Sequence, residues 1–199
     1  MKEKIYLISP SKIKKTFIED LKKVLVSKKI KFFQVRIKNR PQKKIIKLIK
    51  QIKPVVKRYN VKLIINDNYK LAKKVDADGC HLGQSDGSFS LAKREFKKKI
   101  IGSTCHNSKR LIKNAIKNNA DYIAIGSFFK SKLKPKATKA DFNTLKWARK
   151  KTKKPIVAIG GINDKNYKKI IKNGANYIAI SSFIWNNPAL KPEIAIKEF

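Results

Sequence analysis

Acidic residues are scarce in this chain: 13 Asp and Glu stand against 50 Lys and Arg in 199 residues, a formal net charge of +37. Such an imbalance points first to a polyanionic partner. Arginine, however, is scarce too. Only Arg36, Arg40, Arg58, Arg94, Arg110 and Arg149 occur, leaving 44 lysines. Nucleic-acid surfaces gather Arg and aromatics on one face or loop, whereas here Lys is spread along the whole chain. Heavy use of Lys, Ile and Asn is also what AT-rich codons produce, so mutational bias accounts for the charge without a selected partner. The expectation is no specific nucleic-acid binding.

The other shortages exclude more. Two cysteines, Cys80 and Cys105, lie 25 positions apart and supply neither a disulfide framework nor a four-ligand zinc site. No apolar run approaches the roughly 20 residues of a membrane span. The first residues enter a strand-like run without the apolar core of a signal peptide. These features predict a cytoplasmic protein in a reducing setting, with no membrane partner. A hydrophobic fraction of 42% excludes a disordered chain, and the length suits one domain over residues 1–199.

What is present alternates. Eight short runs rich in Ile, Val, Phe and Tyr read as strands: Lys4–Ile8, Phe32–Ile37, Val61–Ile65, Gly79–Leu82, Ile100–Thr104, Asp121–Ile125, Pro155–Ile159 and Asn176–Ile180. Each is nearly continuous in hydrophobicity, the pattern of parallel strands buried on both faces. Helical periodicity fills the intervals at Thr16–Ser27, Pro41–Tyr59, Ser108–Asn118, Asp141–Lys151 and Asp164–Asn173, with shorter helices after Asn68 and Ser88. Pro54 is expected to kink or split the second, and Gly174 sits where a positive-φ C-terminal glycine belongs. Eight such units predict an α/β fold, a single (β/α)8 TIM barrel. An open doubly wound sheet is the alternative, disfavoured by the lack of a Gly-rich dinucleotide fingerprint.

Barrel chemistry sits at the C-terminal strand ends. There, Gln34, Arg36 and Lys38 alternate along strand 2 and are expected to point inward, where two cations need an anionic partner. Asn66 and Asp67 follow strand 3, and Asp86 lies in the loop after strand 4. Two carboxylates at successive strand ends suit Mg²⁺ shared with phosphates, and equally suit a turn or N-cap at Asp67 and an Asp-Gly turn at Asp86. Cys105 and His106, being adjacent, face opposite ways and make no nucleophile–base pair. Both cysteines read as small core residues, and His81 and His106 as structural. The loop Gly126–Lys139 is long and basic, either a phosphate-grasping lid or a lysine-rich connection. Gly160-Gly161 after strand 7 and Ser181-Ser182 after strand 8 offer backbone N–H groups where this fold binds phosphate, though two tight turns would look the same.

At these residues the chain resembles thiamine-phosphate synthase, of the superfamily shared with thiazole tautomerases. The matching segments are Gln34-x-Arg36-x-Lys38, Ile65-Asn66-Asp67, Asp78-Gly79-x-His81-Leu82-Gly83-Gln84-x-x-Asp86, Gly102-x-Thr104-x-His106, Ala120-Asp121-Tyr122, Ala158-Ile159-Gly160-Gly161-Ile162 and Gly174-Ala175. Thr104-Cys105-His106 and Phe183–Pro188 resemble an alphaproteobacterial branch. The resemblance implies a transferase joining hydroxymethylpyrimidine diphosphate to a thiazole phosphate, with pyrophosphate leaving first. It implies Mg²⁺ on Asp67 and Asp86. Gln34, Arg36, Lys38, Asn66, Thr104 and Lys134 would bind the pyrimidine diphosphate, with Arg36, Lys38 and Lys134 serving catalysis. Ser131, Gly161, Ser181 and Ser182 would hold the thiazole phosphate. It leaves room for a homo-oligomer. The loop departs from the family's Gly-Pro-x-Phe-Pro-Thr-x-Thr-Lys: both prolines are absent, Ser131 replaces one Thr and Leu133 the other. That departure keeps a tautomerase-like or degenerate relative as the alternative, while the retained Asp67 and Asp86 count against it.

Overall fold

The computed structural model describes residues 4–129 and 139–199. The eight expected strands form, as β1 Ile5–Ile8, β2 Ile30–Val35, β3 Lys62–Asn66, β4 Gly79–Leu82, β5 Ile100–Thr104, β6 Tyr122–Gly126, β7 Ile156–Ile159 and β8 Tyr177–Ile180. All pair in parallel and in sequence order, and β8 returns to β1, so the sheet closes into a TIM barrel. Helices cross between the strands: α1 Phe17–Leu25, α2 Gln42–Arg58, α3 Tyr69–Lys74, α4 Phe89–Glu95, α5 Lys109–Lys117, α6 Phe142–Lys151 and α7 Tyr167–Lys172. The short α8 Ser182–Trp185 and α9 Pro192–Ala195 follow β8.

The near-continuous hydrophobicity of the strands divides between two cores. Outward residues such as Ile5, Leu7, Phe33 and Ile65 pack against the helices. Inward residues Tyr6, Ile8, Phe32, Ile64, Tyr122, Ala124, Val157 and Ala179 fill the barrel. Gly102 belongs to this interior for a steric reason: a Cβ there would lie 1.9 Å from the Tyr122 ring. The inner core is therefore aromatic, with Phe32 5.9 Å from Tyr122 and 5.1 Å from Tyr177 between ring centroids.

Local chemistry sets the helix boundaries. Asn68, Ser88, Ser108 and Asp141 each accept a backbone N–H three residues on, capping α3, α4, α5 and α6. Three expectations change. Strand β2 starts earlier and stops at Val35, so Arg36 and Lys38 follow the strand instead of lying in it; Asn39 at φ 57 then turns the chain toward Pro41. Helix α2 runs through Pro54 as one helix, because Pro54 is exposed and its missing N–H falls on the solvent face. Helix α7 begins at Tyr167 rather than Asp164. The Asn163 side chain accepts from the N–H groups of Lys165 and Asn166, and Asn166 accepts from that of Asn163, so a side-chain turn replaces the first helical turn. Gly174 takes φ +108 after α7, as expected. Among the described residues no helix is long and apolar enough to cross a membrane.

Candidate active site

A cavity of about 410 Å³ opens at the C-terminal ends of the strands. Its floor is Tyr6, Ile8, Tyr122, Ala124 and Val157, and its wall from β2 to β5 is Gln34, Arg36, Lys38, Asn66, Asp67, His81, Asp86, Thr104 and His106. Seven of the residues expected to touch the pyrimidine diphosphate or its metal thus converge on one space. Gln34 is 3% exposed. The Arg36 N–H is held 2.9 Å from the Ser9 hydroxyl, which fixes the chain as it leaves β2. Lys38 Nζ lies 3.9 Å from an Asp67 carboxylate oxygen, with Lys38 well exposed and Asp67 partly buried, a contact that contributes little by itself.

The two carboxylates differ in the turns they make. At Asp67 the capping role belongs to its neighbour: Asn68 accepts the Leu71 N–H at 2.8 Å. Asp67 itself takes φ 64, held by its N–H on the His81 carbonyl at 2.8 Å, and its carboxylate lines the cavity. Asp86 does both jobs. One oxygen accepts the Gly83 N–H at 2.7 Å and closes the turn, while the residue still lines the cavity. Burial pushes the Asp67 carboxyl above its ordinary range; hydrogen bonding to Asp86 and its negative charge add to this, and Lys38 and Arg36 pull the other way. Two half-buried acids forced together are a site that gains from a cation. Among the described residues no cluster of three or more His, Cys, Asp or Glu side chains is placed to hold a metal ion.

Other expected residues lie elsewhere. Gly161 (φ 59) follows β7, and Ser181 and Ser182 open α8 after β8; these are neighbouring strands at the same end of the barrel, but the three residues do not line the cavity. The Gly161 carbonyl accepts from the Asn166 amide at 3.0 Å, and the Ser181 hydroxyl donates to the Ser9 carbonyl at 3.2 Å. Gly160 is required by close approach, since a Cβ there would meet the Ser127 hydroxyl at 1.9 Å. Ser131 and Lys134 fall outside the described residues.

Cys80 and Cys105 are fully buried in the outer core, and desolvation pushes both thiols up to about 12, so neither is a nucleophile. Cys105 is buried and His106 is exposed at the cavity rim; β5 ends at Thr104 and His106 takes φ 50, so the strand alternation expected of this pair does not apply to it. The sequence reading missed Tyr6 and Tyr122. Their hydroxyls lie 2.8 Å apart in the floor and connect to Gln34 and His81. The available signal was parity: each is a tyrosine at an inward position of an otherwise apolar strand, where its hydroxyl must find a polar partner.

The comparisons agree with this geometry. The family model described as thiamine monophosphate synthase matches residues 5–184. The thiamine-phosphate synthase of Pelagibacter ubique is 49% identical over 198 residues, covering 99% of this chain and 96% of that protein. The thiamine-phosphate synthase of Rhodospirillum centenum is 33% identical, covering 98% and 95%. Among solved structures, thiamine phosphate pyrophosphorylase from Pyrococcus furiosus superposes with a TM-score of 0.86 at 29% identity, over 98% of this chain and 92% of that one. A barrel whose mouth gathers Gln34, Arg36, Asn66, Asp67, Asp86 and Thr104, matched nearly end to end by these relatives, belongs to the thiamine monophosphate synthase family.

Proposed function

We infer that this chain is a thiamine-phosphate synthase. It is a transferase that joins 4-amino-2-methyl-5-hydroxymethylpyrimidine diphosphate to a thiazole phosphate and releases pyrophosphate; with the carboxylated form of the thiazole, the carboxyl group leaves as carbon dioxide as well. The observation that carries this reading is the convergence of a cationic pair, Arg36 and Lys38, and two carboxylates, Asp67 and Asp86, on one cavity whose floor suits a flat ring. The bond from the pyrimidine methylene to the diphosphate oxygen breaks, and its electron pair leaves with pyrophosphate. The ring stabilises the resulting carbocation, and the thiazole nitrogen supplies the pair that forms the new C–N bond. No general base is required, because the attacking nitrogen carries no proton. The protein's work is to neutralise charge on the leaving group and orient the ring.

Arg36 presents a planar fork to phosphate oxygens and Lys38 a point charge, and Lys134 would join them. Asp67 and Asp86 would hold Mg²⁺, which supplies charge neutralisation to the diphosphate. Gln34, Asn66 and Thr104 would orient the pyrimidine. The adjacent loop residues Gly161, Ser181 and Ser182, with Ser131, would take the thiazole phosphate. The whole barrel would act as one catalytic domain on small phosphorylated substrates, in the cytoplasm, a setting its two buried free thiols suit.

The deciding experiment is a coupled assay with both substrates, with and without Mg²⁺. Thiamine phosphate and pyrophosphate should form in equal amounts, and chelation should abolish both. Isomerisation of the thiazole phosphate without coupling would overturn the reading in favour of a tautomerase.

A further inference from the structure

We propose that Tyr6, Tyr122 and His81 are positioning residues that fix the hydrogen-bonding polarity of Gln34 and Thr104, the groups facing the pyrimidine. The proposal rests on the synthase reading for the identity of that ligand. Five side chains from five strands form one continuous chain of contacts across the barrel. Gln34 Nε2 donates to the Tyr6 oxygen at 3.1 Å, and the Tyr6 and Tyr122 oxygens are 2.8 Å apart. The Tyr122 oxygen lies 2.9 Å from His81 Nδ1, and His81 Nε2 lies 2.8 Å from Thr104 Oγ1. The imidazole stacks on the Tyr122 ring with 12° between planes, which holds its orientation.

Proton counting gives the chain a direction. Burial raises both phenols well above their ordinary range, so each keeps one proton. The Tyr6 oxygen accepts from the Gln34 amide, so the Tyr6 proton goes to Tyr122 and the Tyr122 proton goes to His81 Nδ1. His81 is then the neutral Nε2–H tautomer and donates to Thr104. An imidazolium would force Tyr122 to donate to Tyr6. The buried Tyr6 proton would then have no acceptor among the described residues. Because Thr104 accepts from His81, its own proton remains for an acceptor in the cavity it lines; at the other end, Gln34 has committed its nitrogen inward and keeps its carbonyl oxygen. The mouth therefore offers a donor at β5 and an acceptor at β2. An aminopyrimidine meets these with a ring nitrogen and an exocyclic N–H. Reversing any link reverses both ends, so the buried tyrosines act on substrate that they need not touch.

The test is a mutant cycle. Tyr122→Phe keeps the ring that Gly102 accommodates and removes the link. Its KM for the pyrimidine diphosphate should rise about tenfold, the worth of one hydrogen bond, with KM for the thiazole phosphate unchanged. Thr104→Val should lose a similar amount and Thr104→Ser little, and adding Tyr122→Phe to Thr104→Val should cost less than Tyr122→Phe does alone, because only the Gln34 end is left to lose. Additive losses, or equal effects on both substrates, would overturn the proposal. Tyr6→Phe repeats the test should Tyr122→Phe fail to fold. Imidazole ¹⁵N NMR reads the polarity without turnover, with His106→Gln assigning the only other histidine. Wild type should show His81 as the Nε2–H tautomer and Tyr122→Phe a mixture. A wild-type imidazolium or Nδ1–H form would overturn the relay. The expected tautomer in a protein without synthase activity would instead remove the pyrimidine assignment.

Discussion

The two ends of this barrel use the same few acids in opposite ways. At the N-terminal end, three residues that precede even-numbered strands reach back to the preceding strand. Asp78 accepts the Leu63 N–H at 2.8 Å, Asp121 the Ile101 N–H at 2.7 Å, and Asn176 the Ile156 N–H at 2.9 Å. Each also takes a cation: Lys62 at 3.4 Å, Lys93 at 2.7 Å and the Arg149 guanidinium at 2.8 Å. Asp76 accepts from Lys99 and Lys53 at the same end. At the C-terminal end, Asp67 and Asp86 repel one another, and the ion pair Asp67 makes among the described residues is a loose one, with Lys38 at 3.9 Å. One end satisfies its charges and holds the strands in register. Among the described residues the other end pairs its charges more loosely, at the cavity where the proposed substrates would enter.

Breaking the mouth should cost the most activity. Asp67→Ala and Asp86→Ala should each lower kcat/KM by about a hundredfold or more while the fold survives, as far-ultraviolet circular dichroism would record. Near-full activity in both would end the metal assignment. Breaking the other end should do the reverse. Asp121→Ala leaves the Ile101 N–H and Lys93 without their acceptor, and should cost about 1–3 kcal/mol in urea unfolding with kcat/KM unchanged.

The acids should also respond to pH with opposite signs. Folding raises the Asp67 carboxyl above its unfolded value, so between the two values the folded state holds the extra proton. Stability attributable to Asp67 therefore increases as pH falls through that window. Asp67→Asn should accordingly melt higher than wild type at neutral pH without divalent cations, and the gap should close in acid. Added Mg²⁺ should raise the wild-type melting temperature and leave Asp67→Asn unmoved. Asp76 is the counterpart. Hydrogen bonds from Lys99 and Lys53 lower its carboxyl to about 2, so its contribution is present above the ordinary carboxylate range and is lost as pH falls toward 2. Because Asp76 is exposed, Asp76→Asn should show the smallest effect, vanishing in high salt.

The barrel was legible because its evidence is local. Apolar runs such as Ile5–Ile8 and capped starts such as Ser108 are set by neighbours a few residues apart. The carboxylates and cations of the mouth were legible because a strand end has a fixed place in this fold, even where β2 ended before Arg36. The relay was not legible, since Tyr6 and Tyr122 are 116 residues apart and only barrel closure brings their hydroxyls together. The late start of α7 was hidden in side-chain turns that compete with the helix and leave no mark on apolar periodicity. The +37 charge pointed to a polyanion, yet among the described residues the Lys and Arg side chains that line the cavity are Arg36 and Lys38, suited to a small anion.

The side-chain clamps at the N-terminal end also give the barrel a repeat of two strands. They join β3 with β4, β5 with β6 and β7 with β8, each by an Asp or Asn on a backbone N–H. Between these pairs, side-chain ties at that end run from lysines to exposed partners instead: Lys99 on Asp76 from β5 back to β4, and Lys154 on Asn119 from β7 back to β6. The side-chain clamps at this end are therefore grouped by pairs of strands from β3 onward, while the backbone ladder runs on from pair to pair. A gene divided after α4 would leave every backbone clamp whole within one fragment or the other. That makes the junction before β5 the natural place to split the chain and ask whether two half-barrels reassemble.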